Sequence, residues 1–190
     1  MTRTPPPPPP AAPDGAAASG PASGPAGVRI IEDLDMRIDR DGRWYYHGSP
    51  IDRKELVCLF AQTLRRAGDG SYWLVTPVEA ARIVVEDAPF VAVEAFLGGE
   101  GRKRTVSLRT NIDEIITVNA EHPLYVVMDA ATGEPAPYVQ LDAGLIARLS
   151  RSVYYELVNA GGEEAVAGKR QYGVWSCGQF FCLGSLDEAT

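Results

Sequence analysis

Histidine and cysteine side chains, the usual ligands of transition metals, are scarce in this sequence. The two histidines are His47 and His122, and neither has a further histidine, cysteine or carboxylate at the spacing of a metal site. The three cysteines are Cys58, Cys177 and Cys182, and no second pair completes a tetrahedral set with the last two. We therefore predict that the protein binds no metal and carries no cofactor.

Nucleophilic catalysis requires a serine or cysteine within reach of a base. Ser49 lies two residues from His47, but such close positions in one strand do not form a catalytic triad. Ser176 has no catalytic signature around it, and Glu86 and Asp87 would point to opposite faces of a strand. We expect no enzymatic activity. A hydrolase that uses Ser49 or Ser176 with a histidine is the weaker alternative.

Of two segments with some features of an anion site, the first is rejected as a plain loop and only the second could bind an anion. The glycine-containing segment 162–170 has one residue too many for a phosphate loop, carries two glutamates, and lacks a hydroxyl residue after Lys169. The second segment is the basic run 102–104, with Arg109 further along the same predicted strand. The basic run is either a solvated hairpin tip or an edge that contacts a phosphate-bearing ligand.

A first helix is predicted after residue 51. Asp52 and Glu55 have the spacing of a capping box, and Ile51 and Leu56 stand at the two positions of a hydrophobic staple. Gly68 is expected to end the helix. Apolar and small residues share one helical face: Leu56, Leu59, Phe60, Thr63 and Leu64.

A second segment repeats this pattern about ninety residues later. Asp142 is the predicted cap, Leu141 and Ile146 form the staple, and Gly161 ends the helix. Strand-like sequence precedes and follows each helix, so a strand–helix–strand order occurs twice. The order indicates either an internal duplication or a chance recurrence. The predicted buried stripe is Leu145, Leu149, Val153 and Leu157.

The rest of the chain has the patterns of strands and turns. In 104–110, Val106 and Leu108 alternate with polar residues. Turns are predicted at 98–101, at 129–135 and at 177–179. Other predicted strands are 91–96, 115–118, 124–128, 138–141, 171–176 and 180–183. The expected fold class is α+β: β-dominated, antiparallel, with two main helices in two small domains.

Composition separates the first 27 residues from the rest. They hold nine of the fifteen prolines and consist almost entirely of Pro, Ala, Gly and Ser, which predicts a disordered tail with polyproline II character. The tail lacks the features of a secretory signal.

Charge, hydropathy and cysteine content exclude several classes of function. The formal charge of −7 argues against binding long nucleic acids, and no apolar run is long enough to cross a membrane. The odd, sparse cysteines argue against a secreted disulfide framework, so we expect a cytoplasmic location.

An ordered series of motifs resembles the DUF1285 family of uncharacterised bacterial proteins. It spans nearly all of the chain beyond the tail. Its members are the segments 44–51, 72–79 and 83–90, the helix positions Leu56, Phe60 and Leu64, then Thr110-Asn111, Asp113, His122-Pro123, Arg151, 154–158, 174–176, Gly178 and Phe180.

The resemblance implies a duplicated core of two domains. We place the tail at 1–27, the N-terminal DUF1285 domain at 28–89, and at 90–190 a C-terminal domain superficially like a pleckstrin-homology fold. The resemblance further implies no established enzymatic activity, a possible role in signalling, and a cleft at the domain interface proposed to bind a nucleotide-like ligand.

Carried onto this sequence, the resemblance makes the polar motif residues candidates for ligand contacts. The main hypothesis is a non-enzymatic module that binds a small nucleotide-like or anionic ligand, with arginines as donors and Trp175 as a stacking face. The alternative is a protein-interaction module that uses β-edges, aromatic surfaces and the proline-rich tail. Each candidate also has a structural interpretation, which is the commoner one for residues of these types. The candidates are His47, Ser49, Thr76, Glu79, Asp87, Arg109, Asn111, Asp113, His122, Arg151, Trp175 and Ser176.

Overall fold

The computed structural model describes residues 28–129 and 133–186. The predicted tail at 1–27 therefore lies outside the described residues. The described chain forms two compact units. One contains residues 28–89 together with Ala143–Leu145, and the other contains the remaining residues from Phe90 onward.

The N-terminal unit is a seven-stranded sheet with one helix. The sheet order is β4-β3-β2-β7-β6-β5, and β1 also pairs with β7. Both β1 and β2 run parallel to β7, and the other pairs are antiparallel. The elements are β1 (Arg29–Ile31), β2 (Met36–Ile38), β3 (Trp44–Tyr46), β4 (Ser49–Pro50), α1 (Lys54–Thr63), β5 (Leu64–Arg66), β6 (Tyr72–Val75) and β7 (Glu79–Val85).

The C-terminal unit has a six-stranded sheet, a three-stranded sheet and one helix. The sheet orders are β10-β9-β8-β13-β12-β11 and β14-β15-β16, and only the pair of β8 with β13 is parallel. The elements are β8 (Phe90–Gly98), β9 (Thr105–Thr110), β10 (Ile115–Thr117), β11 (Leu124–Met128), β12 (Pro135–Gln140), β13 (Ile146–Leu149), α2 (Arg151–Ala160), β14 (Gly162–Val166), β15 (Lys169–Ser176) and β16 (Gln179–Ser185).

The predicted class, a β-dominated α+β fold with two helices and a repeated motif, is confirmed. In each unit a ten-residue helix passes into three consecutive antiparallel strands, β5-β6-β7 after α1 and β14-β15-β16 after α2. The three parallel pairs make the sheets mixed rather than wholly antiparallel. No helix among the described residues has the length and apolar character needed to span a bilayer.

The predicted start and buried face of the first helix are wrong. The N-cap is Arg53, whose side chain makes no capping bond, so Asp52 and Glu55 do not form the capping box. Val57 and Ala61 are the buried residues of α1, whereas Leu56 and Leu59 are 38% and 56% exposed.

The position of Leu64 at the end of α1 determines which face of the helix is buried. Leu64 is not helical but begins β5, where it is buried and pairs with Leu74. The helix therefore ends at Thr63, before the predicted Gly68. Val57, Ala61 and Leu64 also have helical spacing, and anchoring Leu64 in the sheet turns this smaller stripe toward the core.

The second helix begins later than predicted. Ile146–Leu149 is strand β13 beside β8, so its apolar residues are buried in a sheet rather than on a helix. The cap is Ser150, whose Oγ accepts a hydrogen bond from the Val153 amide at 3.4 Å, and not Asp142. Val153 and Leu157 are buried and Gly161 follows the last helical residue, as predicted.

Gly173 occupies a β-bulge where β15 meets β16. A Cβ at this position would collide with the backbone carbonyl of Phe181 and lie 2.7 Å from the ring atom Cζ of Phe180. Because packed backbone cannot move aside, Gly173→Ala should lower the free energy of unfolding by about 3 kcal/mol. Denaturant unfolding measures this loss. The control is Gly184→Ala on β16, where nothing lies within 4 Å of the added atom; an equal loss there would contradict the packing argument.

Tyr72 on β6 is buried, and its hydroxyl has no hydrogen-bond partner among the described residues. Burial raises the pKa of Tyr72 to about 12, with Asp87 also raising it and Arg66 opposing the rise. The unfolded chain loses this proton near pH 10, before the folded protein does. The stability that the neutral phenol contributes is therefore present below pH 10 and lost between pH 10 and 12.

Tyr72→Phe should remove that loss. Between pH 10 and 12 the variant should lose about 3 kcal/mol less stability than the parent protein, because each pKa unit corresponds to about 1.4 kcal/mol. Denaturant unfolding at several alkaline pH values tests this. Tyr155→Phe on the exposed face of α2 is the control, and identical alkaline profiles for both variants would refute the assignment.

Candidate functional site

A surface pocket lies in the N-terminal unit where β1 leads into β2. Its volume is about 150 Å³, comparable with cavities that accept a group the size of benzene. Both β1 and β2 pair with the same edge of β7, so the linking residues 32–35 are held against that edge. We call it the acidic pocket. Its lining residues are Asp33, Leu34, Asp35, Met36, Arg37, Tyr45, Gly48 and Val84.

The charges around the acidic pocket do not balance. Arg37 is the only lining cation, and its Nη1 donates to Glu86 Oε1 at 2.7 Å while its guanidinium lies 4.2 Å from the Tyr45 ring centroid. Asp33 and Asp35 are both exposed, and none of the ion pairs between described residues involves Asp33. The pocket therefore has an excess of negative charge.

His47 lies next to the acidic pocket and contacts its lining residue Asp35. With Gly48 it makes the two-residue turn between β3 and β4, and both have positive φ, 46° and 74°. His47 Nδ1 lies 3.0 Å from Asp35 Oδ2, and the His47 amide donates to the Asp35 carbonyl at 2.9 Å. The predicted candidates His47 and Ser49 thus flank the lining residue Gly48, and His47 orients Asp35.

The other candidates of the N-terminal unit have structural partners. Thr76 Oγ1 donates to the Glu79 carbonyl and accepts from the Glu79 amide, both at 3.0 Å, which closes the turn before β7. The Glu79 carboxylate lies 3.6 Å from Arg29 across the β1–β7 pair. Asp87 is half-buried just after β7. None of the three lines the acidic pocket.

Arg109 in the C-terminal unit is held by two carboxylates. Its Nε donates to Glu94 at 2.7 Å and its Nη1 donates to Asp113 at 2.8 Å. These hydrogen bonds raise the pKa of Arg109 above its usual value. Two negative partners already compensate the charge, so Arg109 is a poor donor for an added anion.

Asn111 and His122 hold the backbone of turns. Asn111 Oδ1 accepts from the Val91 amide at 3.1 Å, which fixes the turn after β9 beside β8. The His122 amide donates to Asn119 Oδ1 at 2.9 Å, and the His122 ring Nδ1 lies 3.2 Å from the Gln140 carbonyl oxygen. Both residues therefore have local structural roles.

Trp175 is part of a cluster that joins the basic turn to β14 and β15. Its indole Nε1 donates to Glu164 at 3.2 Å, and the other Glu164 oxygen accepts from Arg102 at 3.0 Å. The Arg102 guanidinium lies 4.8 Å from the Trp175 ring centroid, and the Phe180 ring is 5.6 Å away. Arg104, in the same basic run, donates to the carbonyl of Ala160. The Trp175 ring and the Arg102 guanidinium are therefore held in place by their contact with each other and by hydrogen bonds to Glu164.

Arg151 differs from the other predicted donors. It is exposed on the first turn of α2, directly after the capping Ser150. The predicted ligand contacts of this unit therefore do not form one anion-binding group. Arg109 is hydrogen-bonded to Glu94 and Asp113, and Trp175 is hydrogen-bonded to Glu164.

Most residues of the acidic pocket have no clear signal in the sequence. Asp33, Asp35 and Arg37 alternate along the chain, but β2 has only three residues and gives too short a period to predict a strand. Tyr45 is the exception, because it belongs to the family motif at 44–51. The pairing of β2 with β7, which brings Arg37 beside Val84, has no local sequence signal.

Ser176 is fully buried at the end of β15. Its hydroxyl donates to the Val118 carbonyl at 2.6 Å and accepts from the Val106 amide at 3.0 Å. Because both backbone groups would lose their partner, Ser176→Ala should lower the free energy of unfolding by about 2–3 kcal/mol.

The matched control for Ser176 is Ser107→Ala, which removes one half-buried hydroxyl contact to Thr117 and should cost less than about 1 kcal/mol. Thermal and denaturant unfolding measure both variants. Equal stability of the Ser176 variant and the parent would show that the hydroxyl does not hold these strands.

Comparison with known proteins covers both units. A family model described as "Domain of unknown function (DUF1285), N-terminal domain" matches residues 28–88, and its C-terminal counterpart, "Protein of unknown function (DUF1285), C-terminal domain", matches residues 89–183. No curated protein matches the chain.

Two solved structures are similar to this chain. A DUF1285 family protein from Silicibacter pomeroyi DSS-3 is 38% identical with a TM-score of 0.78, over 90% of this chain and 98% of that one. One from Shewanella baltica OS155 is 28% identical with a TM-score of 0.52, over 67% and 92% of the respective chains. On the strength of the two family models and these structures, the chain belongs to the DUF1285 family.

Proposed function

We propose that this protein is a non-enzymatic binding module whose acidic pocket takes up a small cationic group, such as the guanidinium of an arginine derivative. The observation that supports it is the charge imbalance of the pocket. Asp33 and Asp35 both line it, and Glu86 already compensates Arg37. An anionic ligand would meet repulsion there.

The same charges argue against the predicted nucleotide-like ligand at this position. The proposed donors lie in the C-terminal unit, where Glu94 and Asp113 neutralise Arg109 and Glu164 holds the Trp175 cluster. Arg151 remains as an exposed cation. A phosphate compound would therefore be expected to contact the region of Arg151 rather than the acidic pocket.

The expected affinity is low, because each contact is exposed to solvent. An exposed ion pair contributes about 0.2–1 kcal/mol, and a cation placed near the Tyr45 ring adds about 0.5–1 kcal/mol. A single guanidinium held by two carboxylates therefore gains at most about 3 kcal/mol, which corresponds to a dissociation constant of about 10 mM or weaker, and binding should weaken further as salt rises.

The test is a titration of the full chain with arginine methyl ester, followed by the backbone amide NMR signals of Asp35 and Gly48. These signals should shift on binding, and the uncharged citrulline methyl ester should leave them in place. The double variant D33N/D35N should weaken binding at least tenfold at low salt.

The matched control is D41N/D52N, which removes the same net charge from two exposed aspartates that do not line the pocket. The control should retain the affinity of the parent. Equal shifts with citrulline ester would refute charge recognition. Shifts caused by inorganic phosphate or ATP alone, near Arg151, would replace the proposal with the anion-binding one.

The alternative of a protein-interaction module has one observation in its favour. Leu56 and Leu59 are exposed on the outer face of α1, although their spacing is that of a packing stripe. A partner that covers this face would bury both side chains. Replacing both by serine should then abolish partner binding while leaving the arginine ester titration unchanged.

A further inference from the structure

We infer that the protein forms a two-fold dimer through the open face of its N-terminal sheet, in which Arg65 of one copy binds at the acidic pocket of a second copy. We call the side of this sheet opposite α1 the outer face. The inference rests on the proposed function, because it names the cation that the acidic pocket receives.

Helix α1 covers one face of the N-terminal sheet. The Trp44 ring on β3 stacks on Phe60 of α1, with ring centroids 6.1 Å apart, and Trp44 is buried. Successive strand residues alternate between the two faces, so the neighbours of the buried residues lie on the outer face. Among these, Ile30, Val75 and Val84 are 45%, 38% and 60% exposed. The outer face is therefore open to a partner.

Two arginines flank a tryptophan on the outer face. Arg65 on β5 pairs with Trp73 on β6, and Trp73 pairs with Arg82 on β7, so the three form one row across the strands. We call them the basic row. Arg82 is two residues from Val84, which places the basic row on the same face as this lining residue of the acidic pocket. Both arginines are exposed, and Trp73 is half-buried.

The arginines of the basic row have no carboxylate within ion-pair distance among the described residues. Arg65 donates through Nη1 to the backbone carbonyls of Gln62 at 2.9 Å and Leu64 at 2.6 Å. Arg37, by contrast, is paired with Glu86. The charges of Arg65 and Arg82 are therefore available to a second chain.

Hydrogen bonds hold the indole of Trp73. Its Nε1 donates to Ser71 Oγ at 2.8 Å, and Ser71 Oγ donates to Asp69 Oδ1 at 2.6 Å. The hydrogen bonds from Ser71, with a smaller contribution from the charge of Arg82, lower the pKa of Asp69, so this anchor is ionised at neutral pH. Because the one polar atom of the indole is satisfied, its ring is left for packing and for contact with a cation.

The acidic linker continues the basic row on the far side of β7. The Leu34 amide donates to the Arg82 carbonyl at 3.4 Å, so the linker lies beside Arg82. Asp33 and Asp35 are the chain neighbours of Leu34, and both are exposed. Four successive positions across the sheet, about 4.8 Å apart, are thus occupied in order by Arg65, Trp73, Arg82 and Leu34.

These four positions are self-complementary. A two-fold axis parallel to the strands, between Trp73 and Arg82, brings the outer faces of two copies together and reverses the order of the positions. The first position then meets the fourth, so Arg65 meets the linker that carries Asp33 and Asp35. The second meets the third, so Trp73 meets Arg82 of the second copy. The dimer therefore contains two contacts of each kind.

The neighbouring row fits the same axis. Val75 on β6 pairs with Ala80 on β7, so the axis places Val75 against Ala80 of the second copy, which is an apolar contact. The contact area is about 20 Å across the four positions and about 17 Å along β7, which is small beside the roughly 800 Å² that each partner buries in a standard interface. We therefore expect weak, reversible association that weakens as salt rises.

The test is sedimentation velocity of the full chain at low salt, up to about 1 mM protein, because weak contacts have micromolar to millimolar dissociation constants. The parent should shift from monomer to dimer as its concentration rises. R65E/R82E makes the basic row acidic, and D33R/D35R makes the linker basic, so like charges meet in each variant's own dimer. Each variant alone should have a dissociation constant at least tenfold higher than the parent.

An equimolar mixture of R65E/R82E and D33R/D35R should restore the dimer, because opposite charges then meet at both ends of the row. Restoration also shows that both variants are folded. The matched controls are R40E/R53E and D41R/D52R, which make the same charge changes at exposed positions outside the row and linker. Each control should associate as the parent does. Equal losses in the controls would assign association to net charge and overturn the inference.

Two further outcomes overturn the inference: a parent that stays monomeric over the whole concentration range, and a mixture that does not associate. Arginine methyl ester separates the inference from the proposed function, because R65E/R82E keeps the acidic pocket intact. If the ester shifts the Asp35 and Gly48 signals of this variant and no dimer forms, the dimer fails and the pocket proposal stands. If the mixture restores the dimer and the ester shifts no signal, the proposed uptake of a free cation fails and the pocket serves the dimer alone.

Discussion

Strand β7 is the constraint on which the N-terminal unit depends. It pairs with β6 on one edge and with β1 and then β2 on the other, so three strands take their register from it. Arg37, Val84 and Glu86 meet because β7 carries Val84, leads directly into Glu86 and pairs with Arg37 on β2. The two strands on the same edge also leave the short gap in which Asp33 and Asp35 line the pocket. Pairing along β7 therefore creates the site.

The sequence predicts well those elements whose structure depends on near neighbours. The hairpin at Cys177–Gly178 needs only two residues that accept positive φ, and both have it. The alternation of Val106 and Leu108 places both in the core, and β11 has the predicted bounds. In each case the determining contacts lie within a few residues along the chain or across one hairpin.

Prediction fails where a distant element decides between two local patterns of equal quality. Leu56 and Val57 each begin a helical stripe, and the anchoring of Leu64 in the sheet selects the second. The residues of β13 fit a helix or a strand, and their parallel pairing with β8 decides for the strand. Charged candidates fail similarly. In the sequence Arg109 has the charge of an anion donor, but in the structure it donates a hydrogen bond to Glu94, fifteen residues earlier.

The weak anchoring of β1 has a consequence for the dynamics of the pocket. Its three residues contribute nothing to the buried core, and two of them are exposed, so little free energy opposes its detachment from β7. Such a local opening leaves Ile38 and Trp44 in place, yet it releases the linker that presents Asp33 and Asp35. We therefore expect β1 and the linker that carries Asp33 and Asp35 to open together at a lower free energy than the rest of the sheet.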